Sequence, residues 1–333
     1  MIPSASAPAQ RVLIIGLGQI GMAYDLYLDP AQHILTHARA FALNPAFVVV
    51  GGADLSLAAR DRFTHHYRAP AYADVATAVR EAKPDVVVVA TPTAQHLETV
   101  LAVFAAGRPR VLVCEKPLAH TFADGRALTL ACTQNDCRLY VNYMRRSDPT
   151  AAALRAYLAD GRIATPLKGV VWYAKGLYNN GSHFINLLED LLGPVIAVER
   201  FAPGSYRPDG DPEPDFMLRY ARGMINFLAA RADDYIHNTM EWITPNGRLR
   251  YERAGASCHW EPKIASTETG PPARLAISAE PITDDFSREQ AHFVAHLAAD
   301  LNGRPAHISR GSDALATLET LARIQPTLSQ KAL

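Results

Sequence analysis

Cysteine and lysine are scarce in this chain, and neither sign of charge is in excess. The four cysteines, Cys114, Cys132, Cys137 and Cys258, include no C-x-x-C pair. Neither a disulfide framework nor a zinc site is expected, and no metal; the reduced cytoplasm is the default compartment. The 33 basic residues meet 33 acidic ones for a formal net charge of +0. With no basic surplus to neutralise a phosphate backbone, a nucleic-acid binder is not expected. No apolar run reaches the roughly 18 residues that a bilayer span needs. Met1–Gln10 has no charged segment ahead of an apolar one, so it reads as a short tail rather than a secretion signal. Lysine supplies only six of the 33 basic side chains. Where arginine carries most of the charge, a lysine inside a motif is informative, because ammonium can lose its proton when desolvated and guanidinium cannot.

What is present is the composition of a soluble globular protein, 49% hydrophobic and 20% charged. At 333 residues the chain predicts two domains of about 150 residues each. In the first half, strand and helix patterns alternate. Apolar runs at Arg11–Ile15, Phe47–Ala53, Asp85–Ala90, Arg110–Cys114 and Leu139–Tyr143 are continuous in valine, isoleucine or leucine, as in strands buried on both faces of a parallel sheet. Helical patterns lie between them at His37–Leu43, Leu57–Phe63, Val75–Glu81, Ala94–Ala106 and Phe122–Cys132. This alternation predicts a doubly wound α/β domain over residues 1–145.

Residues 146–333 read as an α+β domain with a largely antiparallel open sheet. Helices are expected at Ala151–Asp160 and Gly181–Leu192, and strands at Leu167–Ala174, Val195–Phe201, Phe216–Tyr220, Met224–Ala229, Tyr235–Ile243, Arg248–Arg253 and Cys258–Pro262. The chain closes on helices at Phe286–Asn302 and Ser312–Leu328, the last of them free to pack back on the first domain. The stretches Pro203–Pro214 and Thr269–Pro272 are expected as surface loops.

Gly16-Leu17-Gly18-Gln19-Ile20-Gly21 follows the first strand directly. In that position a G-x-G-x-x-G supplies a tight turn, a close backbone approach for a pyrophosphate, and unpaired N–H donors, the Rossmann fingerprint of a dinucleotide site. Asp54, ending the second strand, stands where an acid accepts from the adenosine 2′-OH and repels a 2′-phosphate, which favours NAD over NADP. Its other possible use is to cap the next helix. It lies 33 positions after Gly21, where about 20 is usual, so an insertion over Met22–Thr36 is expected. Two further motifs, Ala90-Thr91-Pro92-Thr93-Ala94-Gln95-His96 and Cys114-Glu115-Lys116-Pro117, leave the carboxyl ends of later strands, where open α/β sheets bind ligands.

Together with Asn142-Tyr143-Met144-Arg145-Arg146 and Gly181-Ser182-His183, these motifs make the chain resemble the Gfo/Idh/MocA oxidoreductases, relatives of glucose–fructose oxidoreductase and inositol 2-dehydrogenase. The match runs in order over nearly the whole chain. The resemblance implies NAD as cofactor, with NADP as the alternative, bound by Gly16, Gly18, Gln19, Ile20, Gly21 and Asp54. Thr91, Pro92, His96 and Glu115 would line its nicotinamide half. It implies that Lys116 sits by the nicotinamide and the reacting hydroxyl, and that His183 takes the hydroxyl proton, work suited to imidazole. Many members carry a carboxylate four residues before that histidine. Here Asn179 stands in its place, and Asn186 follows three residues after the histidine; Asn can hold the ring but cannot accept a proton, so either His183 works without a carboxylate, or Lys116 and a tyrosine share the job, or the activity is weak or lost.

Tyr143, Arg145, Lys175 and Asn180 are the expected substrate contacts. Arg145 and Arg146 could equally form ion pairs, and a guanidinium there could hold phosphate or carboxylate bidentately. Strand alternation would put Tyr173 and Lys175 on one face and Trp172 on the other. Tyr24, Asp25, Tyr27 and Asp29 belong to the insertion, either as substrate contacts or as an unused loop. The expected activity is hydride transfer to or from a secondary hydroxyl or ketone of a sugar, cyclitol or nucleotide-linked sugar. The alternatives are a glycosidase that oxidises its substrate transiently with retained NAD, and a non-catalytic nucleotide-binding regulator, which Asn179 keeps in view. The resemblance also implies a homodimer or homotetramer formed through the second domain.

Overall fold

Runs of valine with no polar interruption become the middle of a parallel sheet. The computed structural model describes residues 8–230, 235–264, 273–276, 281–282 and 287–325. They fall into two units, Met1–Met144 with Ser287–Leu315, and Arg145–Phe286 with Ala316–Leu333. In the first, strands β1 (Gln10–Ile15), β2 (Phe47–Ala53), β3 (Ala71–Tyr72), β4 (Val86–Val89), β5 (Val111–Cys114) and β6 (Arg138–Val141) pair in the order β3-β2-β1-β4-β5-β6. Every register in this sheet is parallel. All four residues of β4 and of β5 are buried, each large apolar side chain contributing about 1.5–3 kcal/mol. The order reverses between β1 and β4, the switch point at which such sheets open a crevice.

Four helices of this unit begin on side-chain caps that the sequence supplies. Thr36 caps α1 (His37–Leu43), Ser56 caps α2 (Leu57–Tyr67), Asp74 caps α3 (Val75–Ala82) and Thr121 caps α5 (Phe122–Gln134). Between them α4 spans His96–Ala106. A five-residue π-helical turn, Gln19–Ala23, leads from the glycine fingerprint into the insertion, which continues in turns up to α1. Asp25 closes it. Its fully buried carboxylate accepts from Leu35 N at 2.7 Å, Thr36 N at 3.0 Å and Thr36 Oγ1 at 2.7 Å, so this acid is structural. Helix α8 (Glu289–Leu301) also belongs here, with Phe293, Val294 and Leu297 buried in the same core as Phe41 and Val12.

The second unit holds α6 (Pro149–Ala159), α7 (Ser182–Leu192) and most of α9 (Gly311–Ile324). Its strands are β7 (Leu167–Tyr173), β8 (Ala197–Tyr206), β9 (Pro212–Tyr220), β10 (Gly223–Ala229), β11 (Thr239–Thr244), β12 (Gly247–Glu252), β13 (Ser257–Ile264) and β14 (Arg274–Leu275). They pair as β14-β13-β12-β11-β7-β10-β9-β8, antiparallel except for β7 with β10. Tyr173, Phe216 and Phe227 fill one side of the sheet, the two phenyl rings stacked with centroids 4.6 Å apart. Phe184 of α7 meets Tyr251 of β12 edge-on at 6.0 Å.

Three local expectations are corrected. Pro203–Pro214 is not a plain loop, since β8 continues to Tyr206 and β9 starts at Pro212, forming a bulged hairpin. The three prolines in these strands fit because β8 is an edge strand, Pro203 and Pro214 fall in the bulged stretch and Pro212 opens its strand. The strand expected from Tyr235 starts at Thr239; before it, Asn238 Oδ1 accepts from Ala174 N at 2.9 Å in place of a ladder bond. Alternation along β7 stops at Tyr173, because Lys175 takes a left-handed φ of 63° and is exposed. The Thr269–Pro272 stretch lies outside the described residues.

Candidate functional site

In the first unit the carboxyl ends of β1, β2 and β4 enclose a groove of about 580 Å³, lined by Gly16, Gly18, Asp54, Asp74, Thr91 and Pro92 among others. The glycine spacing has a direct steric cause. Gly16 has φ +93°, and a Cβ there would stand 2.5 Å from the Ala90 carbonyl oxygen. A Cβ on Gly21 would fall on the carbonyl of Gly16, whereas one on Gly18 would meet nothing within 4 Å. Two glycines are therefore required by the fold, and the middle one leaves an open face against which a pyrophosphate can lie. Gln19 and Ile20 continue into the π-helical turn. Asp54 does not cap α2, a task that Ser56 performs. Its Oδ2 accepts from Leu17 N inside the fingerprint and its Oδ1 from Ser56 N, both at 2.8 Å, which holds an acid at the groove wall. The Thr91 hydroxyl is buried at the opposite wall with no hydrogen-bond partner among the described residues. Groove, open glycine, acid and orphaned hydroxyl fit a dinucleotide.

His96 works through the backbone. It is 1% exposed, with Nδ1 3.1 Å from the Leu118 carbonyl and Nε2 3.0 Å from that of Thr91, so the ring sits between the two loops that carry the motifs and its one N–H donates to one of these carbonyls. Burial holds its pKa below that of a free imidazole, against the pull of the two carbonyls.

Glu115 is also buried, and its surroundings were not legible in the motif. Oε1 lies 2.7 Å from His37 Nε2 and accepts from Asn142 Nδ2 at 2.6 Å; Oε2 accepts from Lys116 N at 3.2 Å. Burial favours the neutral acid, but the bond and charge of His37, the Asn142 bond and the Lys116 charge outweigh it and hold this carboxyl below the usual range. An ionised carboxylate only accepts, so His37 Nε2 carries the proton. Lys116 follows, half-buried, at the end of β5. His37 was missed by sequence reasoning, for nothing near it in the chain signals a partner 78 positions away.

In the second unit, His183 lies in the first turn of α7 and is 4% exposed. The turn that delivers it, Leu177–Gly181, is gripped by two carboxylates of the β8–β9 hairpin. Asp211 accepts from Tyr178 N and Asn179 N, each at 2.9 Å, and Glu213 accepts from Gly176 N at 3.1 Å. A Cβ on Gly176 would collide with the Asp211 carboxyl. Burial pushes the pKa of Asp211 up against these two bonds, and Asp209 and Glu213 add to the rise. Both acids were missed, because Pro203–Pro214 read as loop. Asn180 Nδ2 donates to the Ala174 carbonyl at 2.8 Å, so it braces the same turn. Asn179 is exposed, and Lys175 is exposed just ahead of the turn, while Tyr143 is buried in the first unit. Asn186 accepts from Arg146 Nε at 2.7 Å and donates to Thr317 Oγ1 at 3.0 Å, a structural link. Among the described residues, no group of His, Cys, Asp and Glu could hold a metal, and no helix is long and apolar enough to cross a membrane.

Residues 10–143 match the oxidoreductase family with an NAD-binding Rossmann fold. Inositol 2-dehydrogenase of Paracoccus denitrificans is 29% identical over 231 residues, 65% of each chain. The enzyme of the same name from Streptomyces avermitilis is 28% identical over 223 residues, 62% of this chain and 61% of its own. The matched region thus spans under two thirds of these relatives' length. The solved WlbA dehydrogenase from Bordetella pertussis, in complex with NADH and UDP-GlcNAcA, superposes with a TM-score of 0.73 over 96% of both chains at 20% identity, a likeness of fold. Fingerprint, Glu-Lys-Pro turn and sheet order agree with these matches, and residues 10–143 of the chain match the NAD-binding Rossmann fold of the Gfo/Idh/MocA oxidoreductases.

Proposed function

We propose that this protein is an NAD-dependent oxidoreductase acting on a secondary hydroxyl or ketone of a sugar, cyclitol or nucleotide-linked sugar. The observation that carries the reading is the glycine cradle at the switch point, walled by Asp54 and the Thr91 hydroxyl, in a chain that matches this family over residues 10–143. Asp54 would accept from the adenosine ribose and repel a 2′-phosphate, which favours NAD. Bound NAD supplies the hydride acceptor or donor.

The chain's own residues handle binding and protons. Lys116 places a cation beside the developing alkoxide, which such a charge stabilises in a site shielded from water. Glu115, kept ionised by His37 and Asn142, stiffens the turn that presents Lys116. His183 takes the hydroxyl proton on oxidation and returns it on reduction. Asn179 can orient but cannot accept a proton, so His183 performs this step without an acid at that position. Tyr143, Lys175 and Asn180 complete the proposed substrate contacts. The outer face of the second sheet exposes Trp172 of β7 and Ile243 of β11; a second copy of the chain would cover it, in a dimer or tetramer.

The test is NADH absorbance against a panel of polyols, aldoses and nucleotide sugars. Turnover that Lys116→Ala removes, with melting temperature and NAD affinity retained, supports the reading. Tight NAD binding with no turnover across the panel would overturn it.

A further inference from the structure

Arg145 and Arg146 are adjacent, both buried and oppositely served. Arg146 Nε donates to the side-chain and backbone oxygens of Asn186 at 2.7 and 3.2 Å, and its Nη1 lies 3.8 Å from Asp190. Arg145 is 5% exposed, yet its Nε and Nη1 are sealed from solvent with no hydrogen-bond partner, and no carboxylate among the described residues stands within 4 Å of it. Its guanidinium lies instead over the Phe184 ring, Cζ 4.5 Å from the centroid. Phe184 directly follows His183 on α7.

Guanidinium cannot shed its charge when buried, as an ammonium can. A ring face offsets only part of the lost hydration and leaves the in-plane N–H groups unsatisfied. Buried polar groups in folded proteins find partners in protein, water or ligand. Each two-donor edge of a guanidinium pairs Nη2 with either Nε or Nη1, and the partner that matches such an edge is an oxyanion accepting two parallel N–H bonds.

We propose that Arg145 is the receptor for an oxyanion on the substrate, so that the substrate is an acidic sugar, carrying a carboxylate or a phosphate, rather than a neutral polyol. This rests on the hydride-transfer reading only for its catalytic readout; the binding readout stands without it. The ion pair that the sequence allowed for Arg145 is absent among the described residues, which frees the group for this task.

Glucuronate, glucose 6-phosphate and glucose are titrated into the NAD-loaded protein by calorimetry, and the same three are assayed for NADH formation. An acid should bind at least about 100-fold more tightly than glucose, the loss expected when one member of a buried charged pair is missing. Arg145→Met should remove that preference, weakening the acids far more than glucose. Arg145→Lys, which keeps charge without the fork, should restore part of it and serves if the methionine variant does not fold. The two acids separate carboxylate from phosphate. Equal binding of glucose and both acids, or an equal loss for all three in Arg145→Met, would overturn the proposal and assign Arg145 to packing on Phe184. Acid binding without any turnover would keep this inference and count against the hydride-transfer reading.

Discussion

Glu115 Oε1 and His37 Nε2 lie 2.7 Å apart although 78 positions separate them in the chain. The first comes from the end of a buried strand, the second from the helix that follows the insertion, and Asn142 binds the same oxygen at 2.6 Å. The carboxylate that precedes the proposed catalytic lysine is thus fastened from two further elements.

This pair sets a pH dependence. The carboxyl of Glu115 is held below its ordinary value, so its stabilisation is complete above the unfolded value of about 4.3 and is lost as pH falls through the lower folded value. Glu115→Gln should flatten that part of the acid-unfolding curve. His37→Ala leaves the buried acid to Asn142 and Lys116 alone and should cost about 1.5–3 kcal/mol at neutral pH, the worth of a hydrogen bond to a charged group. Urea unfolding followed by circular dichroism measures both, and a loss under about 1 kcal/mol for His37→Ala would contradict the pairing.

The glycines of the fingerprint should separate folding from cofactor binding. A Cβ at Gly18 has open space and one at Gly21 strikes backbone. Gly18→Ala should leave the melting temperature of the free protein unchanged and weaken NAD by about tenfold or more, since each 1.4 kcal/mol of lost contact is tenfold. Gly21→Ala should lower both. Thermal melts with and without NAD distinguish the two, and a normal NAD affinity in Gly18→Ala would remove the pyrophosphate from this face.

Asp211 offers a third test, away from the nucleotide. It accepts two backbone bonds from the turn ahead of His183. Asp211→Ala leaves both donors without their acceptor, at about 1.5–3 kcal/mol for each charge-assisted bond. The expected outcome is a kcat lower by about tenfold or more with NAD affinity unchanged. Because burial raises its folded pKa, ionising Asp211 costs stability as pH rises from the unfolded toward the folded value, and the alanine variant should lack this decline. Wild-type kcat in that variant would show that the turn holds itself.

Much of the architecture was legible from local pattern. The bounds Phe47–Ala53 and His37–Leu43 coincide in sequence and structure, because apolar continuity and a threonine cap are decided within a few residues. The glycine fingerprint and Glu115-Lys116 were legible for the same reason. The β8–β9 hairpin was not, since three prolines hide strands whose ladder depends on an edge position that the local sequence does not encode. His96 was identified by its motif, but its two carbonyl neighbours, from Thr91 and Leu118, emerge only when the loops meet.

Arg145 and Arg146 mark the boundary most plainly. Composition, periodicity and turn chemistry act over a few residues, and they suffice to set strands, helices and the cofactor cradle. They cannot tell one arginine from its neighbour. Which guanidinium finds Asn186 and which is left over Phe184 depends on contacts some forty residues distant in sequence. Pairing and desolvation of a charge are properties of the folded surroundings, and those arise only when remote segments pack together.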